Sequence, residues 1–118
     1  RDLHSFPTRR SSDLGDYDIA FALAGVPGER MVAARATAPD GRLALEVVTD
    51  QPSLQLYTAG FLSHSPFAAY GLAHGPHAGF CLEAQGFVDA PNHRNFPSVI
   101  LRPGEAYGHE TTYRLLAL

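Results

Sequence analysis

The sequence has few of the residues that mark several protein classes: its 118 residues include one cysteine, no tryptophan and no lysine. A single cysteine, Cys81, cannot form an intramolecular disulfide, so a disulfide framework is excluded and a reducing, cytoplasmic location is expected. No apolar run approaches the roughly 20 residues that a membrane helix needs, so we expect no membrane association.

Positive charge is also scarce. Nine arginines stand against 12 acidic residues, which gives a formal net charge of -3 and a pI near 6.0. Nucleic acids and anionic lipids bind strongly basic faces, so neither is an expected partner. Phosphate-binding loops and dinucleotide glycine motifs are absent as well, so no nucleotide cofactor is expected. A hydrophobic content of 45% nevertheless predicts a folded chain.

The first 14 residues differ in character from the rest of the chain. They read RDLHSFPTRRSSDL, a polar stretch without helical or strand periodicity that is interrupted by Pro7. A secretory signal needs an apolar run of about 7–15 residues, which this stretch lacks. The segment resembles the peptide obtained when sequencing-adapter DNA is translated in frame. We therefore expect residues 1–14 to be non-native and the folded region to comprise residues 15–118.

From Gly15 onward, short runs with two-residue alternation are separated by turn residues, which predicts an all-β fold. Asp40-Gly41 lies between two such runs and favours a tight hairpin turn. Two long loops, 63–78 and 86–97, are typical of a curved sandwich that presents a groove. We expect strands at 16–23, 31–37, 42–48, 54–58, 79–85, 98–101 and 110–118.

Polar side chains recur at two-residue spacing within these strands. Glu83 and Gln85 share one strand face, and Gln55 and Tyr57 share another. Asp18 lies on the small-residue face of its strand. Carboxylates and amides arranged in this way can bind sugar hydroxyls, but they are more typical of a solvent-facing sheet surface. Spacing alone therefore favours the surface interpretation.

Histidine and cysteine raise two further possibilities. His64, His74 and His77 surround the longer loop and would suit a metal ion, but the chain lacks the paired cysteines of a structural zinc site. We expect no metal. Cys81 has no candidate base nearby in the sequence, so we expect a buried or half-buried small hydrophobe rather than a nucleophile.

Four motifs recur in a fixed order along the chain: TDQPSLQLYT at 49–58, GFCLEAQ at 79–85, NFPS at 95–98 and LRPGE at 101–105. Taken together, in this order and at this approximate spacing, they resemble the aldose 1-epimerase family. The resemblance covers nearly all of residues 15–118. It implies an antiparallel β-supersandwich of which this chain is the C-terminal portion.

The resemblance implies interconversion of the α and β anomers of aldohexoses such as galactose or glucose, with no metal or organic cofactor. Glu83 falls on the family's general base, and Gln55 falls on a sugar-binding glutamine. Asp18 falls on a sugar-binding aspartate that the family places in a DHNF string, which reads DIAF here.

None of the six histidines lies in a motif that matches the family's general-acid histidine. We therefore expect the acid to lie upstream and this chain alone to have little activity. One alternative is a mutarotase-like carbohydrate-binding module without catalysis, which the altered DIAF string permits. A β-sandwich interaction protein unrelated to sugars is the third.

Overall fold

A computed structural model describes residues 16–26, 28–62 and 74–118 of the chain. These residues form an all-β structure with one short 3-10 helix, Ala90–Asn92. The expected all-β fold is thus confirmed, while residues 1–14 lie outside the described part. In chain order the strands are β1 (Asp18–Ala22), β2 (Met31–Thr37), β3 (Leu43–Thr49), β4 (Ser53–Tyr57), β5 (Cys81–Gln85) and β6 (Thr111–Ala117).

The strands form two antiparallel sheets of three strands each, in the orders β1-β4-β5 and β2-β3-β6. The predicted hairpin joins β2 to β3. At its turn Gly41 has a φ of +71°, a conformation that glycine adopts without steric cost. The Asp40 carboxylate accepts a hydrogen bond of 3.0 Å from the backbone N–H of Arg42. The Asp-Gly pair therefore forms the turn that its sequence predicts.

The core lies where the two sheets contribute side chains to one apolar cluster. Val47 of β3 is fully buried, and Leu54 of β4 and Leu82 of β5 are only 1% and 8% exposed to solvent. Ala33 and Ala34 of β2 complete this cluster. The Tyr113 hydroxyl, on β6, donates to the backbone carbonyl of Leu82 at 2.9 Å, so a polar contact also links the sheets.

Thr49 organises the passage of the chain from one sheet to the other. It is fully buried at the end of β3. Its hydroxyl lies 2.9 Å from the Thr111 hydroxyl and 3.3 Å from the Glu110 carbonyl, and it accepts a 3.2 Å bond from the N–H of Gln51. The Asp50 carboxylate accepts a hydrogen bond of 3.1 Å from the backbone N–H of Glu110. These contacts fix the direction in which the chain leaves β3 and enters β4.

The prediction of a strand at 98–101 is wrong. These residues join neither sheet among the described residues, and Val99, Ile100 and Leu101 are 49–57% exposed. The Ser98 hydroxyl instead accepts a hydrogen bond of 3.2 Å from the backbone N–H of Ile100, which is a local turn contact. A short run of β-branched and apolar residues favours a strand, but pairing requires a neighbouring strand edge that the run itself does not encode.

Large apolar side chains remain exposed over much of the described surface. On β6, Leu115 is 73% exposed and Tyr113 is 55% exposed, and Leu43 on β3 is 49% exposed. Elsewhere, Phe61 and Tyr107 are 79% and 68% exposed. Exposed apolar side chains and unpaired strand edges promote association. No helix in the described ranges is long and apolar enough to cross a membrane.

We predict that the isolated 118-residue chain self-associates and unfolds over a broad range, because these side chains and the outer edge of β6 lack cover within the described chain. Light scattering across a concentration series should show growing particles, and a hydrophobic dye should bind at low temperature. A concentration-independent monomer with a sharp two-state melt would contradict this expectation.

We further predict that Thr49→Val lowers the midpoint of urea unfolding, because valine keeps the shape of threonine but has no hydroxyl, which leaves buried groups unpaired at a cost of about 1–3 kcal/mol. Thr49→Ser keeps the hydroxyl and is the matched control. Midpoints of urea unfolding, followed by tyrosine fluorescence in dilute solution, compare the two variants. A serine variant no more stable than the valine variant would show that packing, not the hydrogen bonds, matters here.

Candidate active site

One face of the β1-β4-β5 sheet carries a row of polar side chains. In the antiparallel register, Gln55 of β4 lies opposite Ala20 of β1 and Glu83 of β5. Leu54 and Leu82, on the alternate positions, point into the core. The polar residues therefore point away from the core. We call this surface the polar sheet face; it comprises Asp18, Ala20, Gln55, Tyr57, Cys81, Glu83 and Gln85.

Asp18 and Gln55 are in direct contact on this face. The Gln55 side-chain amide donates from Nε2 to Asp18 Oδ1 at 2.6 Å. The contact is diagonal, because Asp18 pairs in register with Tyr57 while Ala20 stands opposite Gln55. The small Ala20 side chain leaves room for the two polar groups to meet. An amide oriented in this way retains a second N–H and a carbonyl oxygen with which to bind a ligand hydroxyl.

Glu83 lies directly across the strand pair from Gln55. Side chains at such positions have Cβ atoms about 4.5–5.5 Å apart, so the carboxylate and the amide are neighbours. Glu83 is exposed and Gln55 is half-buried. The structure thus brings all three residues singled out in the sequence, Asp18, Gln55 and Glu83, to one surface. An acid-base group beside two hydrogen-bonding groups is chemically suited to a polyhydroxylated ligand.

The histidines expected near the loop do not form a metal site within the described part of the chain. His64 lies outside it. His77 directs its two ring nitrogens at the Thr58 carbonyl and the Asp16 carboxylate. Residues 16–26, 28–62 and 74–118 contain no group of three His, Cys, Asp or Glu residues placed to hold a metal ion.

The expectation for Cys81 is wrong, because its thiol is exposed rather than buried. It shares the polar sheet face with Glu83 and Gln85, and the core lies on the opposite side of β5. The sequence alternation already placed Cys81 with these polar residues. Its hydrophobicity was a weaker guide than its position in the strand.

A shallow pocket follows β5 and was not predicted from the sequence. The Phe96 ring packs against Phe87 and His93, with centroids 4.8 Å and 4.9 Å apart. His93 Nε2 also lies 3.2 Å from Asp89 Oδ2. The sequence signal was only the two phenylalanines that flank a proline-containing loop. The residues lining this shallow pocket include Pro91, His93, Arg94, Phe96 and Val99.

Comparison with known proteins identifies the family. A family model described as aldose 1-epimerase matches residues 3–114. The chain belongs to the aldose 1-epimerase family. The match begins inside the segment expected to be non-native, so the boundary at residue 14 stays a prediction.

Individual aldose 1-epimerase relatives are similar over most of this chain. Human galactose mutarotase is 42% identical over 101 residues, which are 86% of this chain and 29% of the relative. Bovine galactose mutarotase is 42% identical over 98 residues, which are 83% of this chain and 28% of the relative. Aldose 1-epimerase of Escherichia coli is 37% identical over 106 residues, covering 86% and 30%. The chain therefore spans about three tenths of the length of these relatives.

The orientation of the polar sheet face can be tested with thiol reactivity. We predict that Cys81 reacts readily with a disulfide reagent such as DTNB in the folded chain, because its thiol is exposed. The matched control is Cys81→Ser combined with Leu82→Cys, which moves the thiol by one residue into the core. That thiol should react only after denaturation. Equal protection of both thiols would show that this face is covered.

Proposed function

We propose that this chain carries the general base and two sugar-binding residues of an aldose 1-epimerase that interconverts the anomers of an aldohexose. The observation that supports the proposal is the convergence of Asp18, Gln55 and Glu83 on the polar sheet face. They come from three adjacent strands, with Gln55 on the central one. Family membership supports the same chemistry, since this face carries the motif residues of the resemblance.

In the proposed reaction, the Glu83 carboxylate accepts the proton of the C1 hydroxyl while a general acid protonates the ring oxygen. The C1–O5 bond breaks as the electrons from the hydroxyl form a C1 carbonyl, so the open-chain aldehyde results. Rotation about C1–C2 then presents the other face of the carbonyl. Reversal of both proton transfers recloses the ring as the opposite anomer. Ring opening and ring closing each transfer protons between the sugar and the two acid-base groups, whereas the rotation transfers none.

Gln55 and Asp18 hold the sugar in this proposal. Their hydrogen bond of 2.6 Å fixes the amide plane of Gln55. The remaining amide N–H and carbonyl groups, and the second oxygen of Asp18, then bind hydroxyls beside Glu83. Fixing a reactant relative to a catalytic group lowers the entropic part of the barrier. The two residues would therefore contribute to catalysis as well as to affinity.

The general acid is proposed to come from a part of the protein outside this chain. The chain spans only about three tenths of its relatives, and none of its histidines matches the family's acid motif. A proton acceptor without its donor would leave the ring oxygen to be protonated by water. We therefore expect the isolated chain to leave the rate of mutarotation unchanged.

The non-catalytic carbohydrate-binding module remains the second candidate, and one observation favours it. Ala20 stands directly opposite Gln55, where the family's DHNF string has asparagine. An alanine offers no hydrogen bond at this point of the polar sheet face. Such a surface would bind a sugar through fewer groups, with Glu83 as one more acceptor.

The two candidates differ in the effect of Glu83→Gln, measured by polarimetry on α-galactose. The 118-residue chain should match the buffer rate. The longer product of the same gene, expressed with its upstream coding sequence, should accelerate mutarotation. Glu83→Gln in that protein should lower kcat by about 10²–10⁴-fold, because an amide cannot accept the proton. Glu29→Gln, at an exposed position before β2, is the matched control.

Full activity in the Glu83→Gln protein would overturn the assignment of the base. Sugar binding without acceleration by the longer protein would favour the carbohydrate-binding module. Absence of both binding and acceleration would overturn both candidates and leave the interaction-protein alternative.

A further inference from the structure

We propose that His77 is a positioning residue, which fixes the three strands of the polar sheet face relative to one another. The inference rests on the proposed function for its kinetic consequence, although the anchoring itself is independent of any reaction. His77 lies in the segment that leads into β5, outside the polar sheet face. The family resemblance assigns no role to His77.

His77 makes three polar contacts with two other segments. Its ring Nδ1 lies 3.0 Å from the backbone carbonyl of Thr58, so Nδ1 carries the proton and donates. Its ring Nε2 lies 3.3 Å from Asp16 Oδ1. Its backbone N–H donates to the carbonyl of Ala59 at 2.9 Å. One residue thus joins the start of β1, the end of β4 and the approach to β5.

The segments that His77 contacts are themselves tightly joined. The Tyr17 N–H donates to the Thr58 hydroxyl at 2.9 Å, and the Thr58 N–H donates to the Tyr17 carbonyl at 2.9 Å. Gly60 packs against the Asp16 carboxylate, and a Cβ at residue 60 would overlap with it. Thr58 and Ala59 are buried. The imidazole therefore packs against a tightly hydrogen-bonded unit formed by residues 16–17 and 58–60. We call these residues, together with His77, the junction.

The backbone of His77 also fits this role. Its φ is +61°, in the left-handed region that most side chains avoid and that histidine and asparagine enter more often. A strained conformation persists only where surrounding contacts hold it. The ring and backbone contacts of His77 supply that support, and the resulting turn directs the chain into β5.

The junction lies close in sequence to each candidate site residue. Asp16 precedes Asp18 by two residues, Thr58 follows Gln55 by three, and His77 precedes Glu83 by six. A displacement at the junction would therefore move the ends of all three strands relative to one another. Because a misplacement of about 1 Å can reduce a rate 10²-fold, such a junction affects proton transfer without touching the sugar.

Hydrogen exchange measured by mass spectrometry on the 118-residue chain tests the anchoring. His77→Ala should accelerate exchange about tenfold in peptides covering 16–22, 53–60 and 74–85, as expected for the loss of one hydrogen bond that joins these segments. Peptides from the β2-β3-β6 sheet should be unchanged. His93→Ala is the matched control, because it removes another His–Asp contact, of 3.2 Å, outside this junction. Unchanged exchange in His77→Ala, or acceleration in both sheets alike, would overturn the proposal.

A conservative variant separates positioning from simple loss of stability. His77→Asn tolerates the left-handed backbone and places an amide N–H near the position of Nδ1, so it keeps the Thr58 contact and loses the Asp16 contact. In His77→Asn, amide exchange at 53–60 and 74–85 should be nearly as slow as in the unmodified chain. Exchange at 16–22 should still be faster. Equal loss of protection in the alanine and asparagine variants would overturn the assigned contacts.

The kinetic consequence is measured in the longer gene product. His77→Ala should lower kcat about tenfold or more with a smaller change in KM, because Glu83 is displaced from the reacting hydroxyl, and His77→Asn should restore most of the loss. An unchanged kcat with altered exchange would overturn the link to catalysis. If Glu83→Gln retains full activity, the proposed function fails, whereas the exchange results on His77 are unaffected.

Discussion

The alternation of side chains along β4 is the constraint on which the rest of the structure depends. Leu54 is 1% exposed in the core, and its neighbour Gln55 points to the opposite face. Because β4 is the central strand of its sheet, its register decides which residues of β1 and β5 share each face. A slip of one residue would carry Gln55 into the core and Leu54 into solvent. The apolar cluster therefore stabilises the site geometry as well as the fold.

The sequence predicted what depends on local pattern and missed what depends on distant pairing. Alternation located β4 and β5, placed Glu83 and Gln85 on one face, and identified the Asp40-Gly41 turn. It gave no indication that Gln55 would lie opposite Glu83 or contact Asp18, because register joins residues far apart in the chain. The same limit explains the error at 98–101, where the pattern is apolar but no described strand pairs with it. The contacts of His77 likewise bring together three segments that sequence periodicity treats separately.

The arrangement also accounts for the division of roles in the proposed reaction. In this proposal two compact clusters, the apolar core and the junction at His77, fix the positions of Asp18, Gln55 and Glu83. Exposed apolar residues such as Leu115 and Phe61 show that the described fold leaves much of its apolar surface uncovered. The chain spans about three tenths of its aldose 1-epimerase relatives. In the proposed mechanism, contacts with the remainder would both cover this surface and bring the general acid to the sugar.

The most direct test of this account is a crystal structure of the longer gene product with bound galactose. The account predicts that the sugar lies on the polar sheet face, with its C1 hydroxyl about 2.6–3.2 Å from the Glu83 carboxylate and other hydroxyls bound to Gln55 and Asp18. A sugar bound away from this face, for example beside Phe96, would contradict it. So would a register in which Glu83 and Gln55 point to opposite sides of the sheet.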